Sequence, residues 1–114
     1  MSKGYWLSQK GEDHGLNSQP GDIWIDDGES MAISNVLCER RQQDGKWGEQ
    51  NHDPYVWLSI LVEEVGEASK AMLESRFSGN EMIRYRDEMV QVAAVALAAI
   101  ESFDRGTWED KIRL

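Results

Sequence analysis

The chain has 114 residues, a formal net charge of −9 and a sequence pI of about 4.6. This length corresponds to one domain with a limited core, which association with a second copy would enlarge. The acidic balance excludes long nucleic acid as a partner, since like charges repel. A small phosphorylated ligand remains compatible, because a bound cation reverses the charge locally.

Cys38 is the only cysteine, which excludes an internal disulfide and a multi-cysteine zinc site. The N-terminus has no basic stretch followed by an apolar one, so we expect no signal peptide. The longest apolar run, Val92 to Ile100, is far shorter than the roughly 20 residues that span a bilayer. We therefore expect a cytoplasmic protein with no membrane partner.

The first 30 residues differ from the rest, because they hold five of the ten glycines. Among them, Trp24 alternates with Ile23 and Ile25, which predicts a short extended segment over 22–26. The region is open to two interpretations, a mobile or loosely packed lead-in and an arm that reaches a neighbouring subunit. We predict a lead-in at 1–30 and an all-α domain, a helical bundle, at 31–114.

Three helices are predicted from Ser30 onward. Ser30 caps the first, which ends near 44–45, and a polar loop follows at 46–53. Asp53 and Pro54 begin the second, which runs to about residue 76. The segment 78–80 interrupts the pattern, and Asn80 is predicted to cap a third helix from 81 to about 103, which Gly106 ends.

The second predicted helix carries two carboxylates among apolar neighbours. Glu64 and Glu67 are three residues apart, so they project from one face in the sector of Ile60 and Ala71. A separate core stripe is predicted at helical spacing from Leu58, Leu61, Val65, Ala68 and Met72.

The third predicted helix repeats this spacing with Glu88 and Gln91, and it is apolar nearly all round from Val90 to Ile100. We therefore expect it to be the most buried element, and we expect the two polar pairs to face each other across a narrow gap.

Buried carboxylates without a partner cost several kcal/mol each, so a divalent cation is predicted between the two pairs. Its predicted ligands are Glu64, Glu67, Glu88 and Gln91. An oxygen-only ligand set is typical of magnesium, with manganese as a substitute. The alternative is an ordinary solvated acidic helix face.

These motifs resemble those of the MazG-like, all-α nucleoside triphosphate pyrophosphohydrolases. The resemblance is carried by EEVGE at 63–67 and RDEMVQ at 86–91, extends upstream through KWGEQNHDP at 46–54, and covers about residues 31–104. It implies magnesium-dependent hydrolysis of (deoxy)nucleoside triphosphates to monophosphate and pyrophosphate, as nucleotide-pool house-cleaning. It also implies a homodimer or homotetramer, which would complete the helical bundle.

One departure from the family pattern concerns the metal ligands. The pattern is Glu-Glu-x-x-Glu followed by Glu-x-x-Asp, and this chain has Gln91 where the family has Asp. A glutamine offers a carbonyl oxygen without a charge, so the expected site has three formal negative charges instead of four. We expect weaker metal affinity, or a contribution from Asp87 or Glu63.

The resemblance also implies roles for residues around the metal ligands. Glu63 is predicted to orient or deprotonate the attacking water, and Lys46 and Arg84 to contact phosphate. Base contacts are predicted from Trp47, Gln50, Asn51 and His52. Two alternatives stay open: a related all-α phosphohydrolase acting on dUTP, dCTP or phosphoribosyl-ATP, and a non-catalytic helical oligomer that binds nucleotide or a protein partner.

Overall fold

The structure, a computed structural model, describes residues 3–78 and 83–109. Three strands come first: β1 (Gly4–Leu7), β2 (Asp13–Gly15) and β3 (Ile23–Asp26). Three helices follow and hold most of the chain: α1 (Asp27–Trp47), α2 (Pro54–Ser78) and α3 (Ile83–Arg105). The mostly helical character predicted from the sequence is confirmed. The chain forms two compact units, residues 1–35 and residues 36–114.

The first unit is built on a three-stranded antiparallel sheet in the order β2-β1-β3. The predicted extended segment is β3, so that prediction is confirmed, whereas β1 and β2 were not predicted. Trp6 lies opposite Trp24 on the paired strands, with the ring centroids 5.3 Å apart. Only glycine fits at position 4, because a Cβ there would lie 2.1 Å from the carbonyl oxygen of Ile25.

A charged pair fixes the connection between β2 and β3. The Nδ1 atom of His14 lies 2.7 Å from Oδ2 of Asp22, and the same oxygen accepts the backbone N–H of Gln19 at 2.8 Å. The hydrogen bond between the two side chains raises the pKa of His14 and lowers the pKa of Asp22. The pair therefore favours the ionised forms of both groups.

Helix α1 begins earlier and ends later than the sequence predicted. Asp26, not Ser30, is the cap, because its Oδ1 accepts the backbone N–H of Glu29 at 2.8 Å. The predicted end at 44–45 is also wrong. The helix continues to Trp47 and stops at Gly48, whose φ of 74° suits glycine and whose N–H donates to the carbonyl of Asp44.

The predicted start of α2 and the predicted end of α3 are confirmed. Oδ1 of Asp53 accepts the backbone N–H of Val56 at 3.0 Å, so Asp53 caps α2. Gly106, with a φ of 75°, follows the last residue of α3. Helix α2 extends to Ser78, beyond its predicted end near residue 76, so the predicted break over 78–80 is wrong at Ser78. Positions 79–80, the Asn80 cap and the start at 81 lie outside the described residues.

The core of the helical unit lies between α2 and α3, which pack as an antiparallel pair. Trp57, Val95 and Ala98 form its centre. The predicted core stripe is wrong in part, since Leu58 is 61% exposed and Val65 is 50% exposed. Ala68 of the predicted stripe is buried, and so is Ala71, which the stripe did not include.

The third helix is not buried all round. Ala94, Val95 and Ala98 are buried on one face, whereas Met89 and Ile100 are exposed. Within residues 3–78 and 83–109, no helix combines the length and the apolarity needed to cross a membrane.

Candidate metal centre

Three carboxylates converge between α2 and α3. Glu64 and Glu67 project from α2 and Glu88 from α3, and one oxygen of each lies within 4.8 Å of the other two. The three-residue spacing puts the first pair on one helix face, and the antiparallel packing brings Glu88 opposite. Gln91 follows one turn after Glu88 and is half-buried. The structure thus assembles the three predicted carboxylates at one place.

The cluster holds negative charge in a partly buried setting. Glu64 and Glu88 are half-buried, and the Oε2 atom of each is buried without a hydrogen bond from the described residues. Burial raises the pKa of Glu64, and the charges of Glu67 and Glu88 raise it further. Buried oxygens of this kind normally have a partner. The cluster is therefore electrostatically unfavourable without a cation.

Glu39, on α1, adds negative charge near the cluster and was not predicted from the sequence. It is half-buried, and its charge adds to the elevation of the Glu64 pKa, with a smaller contribution from Glu63. Nε2 of Gln43 lies 3.5 Å from Oε1 of Glu39. The signal in the sequence is its spacing, since Glu39 follows Val36 by three residues and so shares its helix face.

The donor set fits a magnesium ion. Magnesium prefers oxygen ligands at about 2.1 Å, so two of its ligands are separated by at most about 4.2 Å. The carboxylate oxygens of Glu64, Glu67 and Glu88, within 4.8 Å of one another, reach that separation by small side-chain rotations. The oxygens of Glu64 and Glu88 that have no partner among the described residues would be available as ligand atoms.

Glu63 lies outside this group of three carboxylates. It is exposed, as its position on the solvent side of the second helix predicts. A water-orienting role requires its side chain to turn toward Glu64, its neighbour in sequence.

The predicted phosphate-binding cations lie at opposite ends of their helices. Nζ of Lys46 is 4.8 Å from the ring centroid of Trp47, and both residues end α1 in exposed positions. Arg84 lies in the first turn of the described part of α3, where its Nη1 is 3.5 Å from Oε2 of Glu74. Neither cation forms an ion pair with the carboxylate cluster in the part of the chain that the structure describes.

The loop between α1 and α2 is tied to the end of α3. Arg105 donates from Nη2 to the carbonyl of Gln50 at 2.9 Å and from Nε to Oδ1 of Asn51 at 2.8 Å. The hydroxyl of Ser102 lies 3.4 Å from the carbonyl of His52. These contacts fix the loop at the end of α3. They hold the main chain of Gln50 and His52 and the side chain of Asn51, which are three of the residues predicted to contact the base.

We compared the chain with protein-family models, with curated proteins and with solved structures, and none of the three comparisons found a match. The resemblance of the motifs at 63–67 and 86–91 to the MazG-like family therefore stays a prediction from the sequence.

Proposed function

We propose that this protein is a magnesium-dependent nucleoside triphosphate pyrophosphohydrolase. It would convert (deoxy)nucleoside triphosphates to the monophosphate and pyrophosphate, with manganese as a substitute ion, and so remove unwanted nucleotides from the pool. The observation that carries this proposal is the convergence of Glu64, Glu67 and Glu88, in which two buried carboxylate oxygens have no hydrogen-bond partner among the described residues.

The metal would be held by Glu64, Glu67 and Glu88, with the carbonyl oxygen of Gln91 as a neutral fourth ligand. When bound, magnesium neutralises phosphate charge and lowers the pKa of a water molecule. Glu63 would hold that water for attack on phosphorus.

Phosphate contacts beyond the metal would come from Lys46 and Arg84. Both side chains are exposed, so each is free to rotate toward an arriving anion, and Arg84 would exchange its pairing with Glu74 for a phosphate oxygen.

Assembly into a homodimer or homotetramer is part of the proposal. The single chain leaves a set of large apolar side chains exposed on α2 and α3, including Leu58, Val62, Val65, Leu73, Ile100 and Phe103. Apolar surface of this extent is typical of an interface, and a second copy would cover it. Sedimentation velocity measures the mass directly, and a monomer at micromolar concentration would contradict this part of the proposal.

The test of the reaction is an assay with purified protein. Canonical and modified dNTPs are incubated with magnesium, and pyrophosphate and orthophosphate are measured separately. We expect pyrophosphate with at least one substrate, and a loss of about 100-fold or more in Glu67→Gln. Asp104→Asn removes one exposed charge from α3 and serves as the control. No pyrophosphate from any substrate, or full activity of Glu67→Gln, would contradict the proposal.

Gln91 favours a second candidate function, a non-catalytic helical oligomer that binds nucleotide or a protein partner. The glutamine removes one of the four charges of the family pattern, which weakens any metal site. Nucleotide binding in calorimetry without turnover would support this candidate. Turnover restricted to dUTP, dCTP or phosphoribosyl-ATP would instead indicate one of the related phosphohydrolases.

A further inference from the structure

A second, polar cleft lies in the helical unit, where α1, α2 and α3 meet. Its volume is about 160 Å³. The side chains that matter for its chemistry are Arg40, Asp44, Gln50, Trp57, Glu101 and Arg105. It shares no lining residue with the carboxylate cluster.

Two residues that line this cleft carry hydrogen-bond donors with no partner among the described residues. Nε of Arg40 and Nε1 of Trp57 are both buried, and neither donates to an acceptor among the described residues. The rest of the Arg40 guanidinium is engaged, since Nη1 donates to Asp44 at 3.0 Å and Nη2 to Glu101 at 2.7 Å. The orientation of the guanidinium is therefore fixed, and Nε cannot turn to find another partner. Buried donors of this kind normally meet an acceptor.

The charge of the cleft selects the kind of ligand. Two arginines, Arg40 and Arg105, face three carboxylates, those of Asp44, Glu49 and Glu101. The local charge is therefore negative by one unit, which disfavours phosphate and other anions. A neutral group that offers both acceptors and N–H donors suits the unpaired donors and the carboxylates together.

The position of the cleft relates it to the metal centre. Trp57 precedes Glu64 by seven residues on α2, which is two helical turns and about 10 Å along the axis. On α1, Arg40 of the cleft directly follows Glu39, whose charge acts on Glu64. A whole nucleotide, and not its sugar alone, is long enough to place its phosphates at the carboxylates and its base at such a separation.

We propose that this cleft binds the hydrogen-bonding edge of a nucleobase. An acceptor atom of the base would receive the N–H groups of Arg40 and Trp57, and an amino or imino group of the base would donate to Glu101. The proposal rests on the proposed function for the placement of the phosphates. It moves the base from the exposed ring of Trp47 to a buried, polar cleft.

The test uses the ¹⁵N-labelled full chain with EDTA present, so that no metal contributes. Deoxyadenosine, deoxyguanosine, deoxycytidine and thymidine are titrated separately while the indole N–H signals are followed by NMR. The signal of Trp57 is assigned in the wild-type protein from its through-space contacts to Ala98, which lines the same cleft. We expect it to shift saturably with at least one nucleoside, and to stay unmoved with ribose 5-phosphate or pyrophosphate.

Substitutions then test the donor itself. Trp57→Phe keeps an aromatic ring in the core and removes one N–H, so we expect affinity for the nucleoside to fall about tenfold. Trp24→Phe, in the sheet unit, is the matched control and should bind as the wild type does. If Trp57→Phe fails to fold, the Trp57 indole and Arg40 Nε signals of the wild-type protein still decide the question.

The outcomes separate this proposal from the proposed function. Nucleoside binding through Trp57 that persists in Glu67→Gln supports the base cleft, whether or not pyrophosphate is released. Hydrolysis of a triphosphate while every nucleoside leaves the Trp57 and Arg40 signals unmoved overturns the base cleft and keeps the enzyme. Nucleoside binding without turnover of any triphosphate keeps the cleft and overturns the enzyme.

Discussion

Two charged clusters in the same helical unit differ in how their charges are compensated. At one, the guanidinium of Arg40 lies between the carboxylates of Asp44 and Glu101, so opposite charges meet within the protein. At the other, Glu64, Glu67 and Glu88 converge with no ion pair to a lysine or arginine in the described ranges.

The two clusters differ in whether the described residues supply the opposite charge. Arg40 is buried, yet its charge is compensated by two partners on α1 and α3. The glutamates repel one another, and burial together with this repulsion raises the pKa of Glu64. The glutamate cluster therefore has no compensating cation among the described residues, whereas the arginine cluster contains one and has two unpaired donors, Nε of Arg40 and Nε1 of Trp57.

The largest expected effect on stability is at the arginine cluster. Arg40→Ala leaves Glu101 and Asp44 without their cation and removes a link between α1 and α3. We expect the free energy of unfolding to fall by about 2 kcal/mol, below the 3–5 kcal/mol of a fully buried pair because both carboxylates are partly exposed. Urea denaturation at pH 7 measures it. An unchanged midpoint and slope would show that the cluster does not hold α1 to α3.

The next effect concerns metal affinity. Gln91→Asp adds the fourth charge of the family pattern one turn from Glu88, so we expect magnesium to bind about tenfold more tightly, which is about 1.4 kcal/mol. Calorimetric titration of both proteins gives the two dissociation constants. Equal constants would place residue 91 outside the ligand set.

A smaller effect of opposite sign to that of Arg40→Ala is expected at the glutamate cluster. Glu64→Gln removes one of the mutually repelling charges, so in EDTA at pH 7.5 the protein should gain about 1 kcal/mol in the free energy of unfolding. With saturating magnesium the same variant should be less stable than the wild type. A loss of stability in EDTA would mean that the Glu64 carboxylate is already compensated within the protein.

The sheet unit provides a third and milder case, the pair of His14 and Asp22. The raised pKa of His14 means that its contribution is present below the ordinary value of 6.5 and is lost as pH rises through the higher folded value. The lowered pKa of Asp22 means that its contribution is lost as pH falls below about 3.8. The protection factor of the Gln19 amide, which corrects for the intrinsic pH dependence of exchange, should be highest between these limits, and His14→Gln should lose the alkaline half of the profile.

The sequence predicted those features that depend on local spacing and local chemistry. Asp53 before Pro54 predicted the start of α2, because a capping side chain needs only the next three backbone amides. The convergence of Glu64, Glu67 and Glu88 was predicted from the three-residue spacing of polar residues on each of the two helices. The motifs that resemble the family contain the same residues.

Features that depend on contacts distant in sequence were not predictable in this way. The pairing of Arg40 with Glu101 joins residues 61 positions apart. The strands β1, with the sequence GYWL, and β2, with the sequence DHG, show no apolar–polar alternation, and they depend on pairing of β1 with both β2 and β3. The core stripe was misplaced because the periodicity of an apolar helix does not show which of two apolar faces its neighbour covers.

The central claim is that the glutamate cluster holds a divalent cation, and calorimetric titration of the nucleotide-free protein with magnesium, repeated with manganese, tests it most directly. We predict saturable binding to the wild type, loss of that binding in Glu67→Gln, and unchanged binding in the charge-matched control Asp104→Asn. Absence of binding to the wild type, or equal binding to the wild type and Glu67→Gln, would contradict the claim.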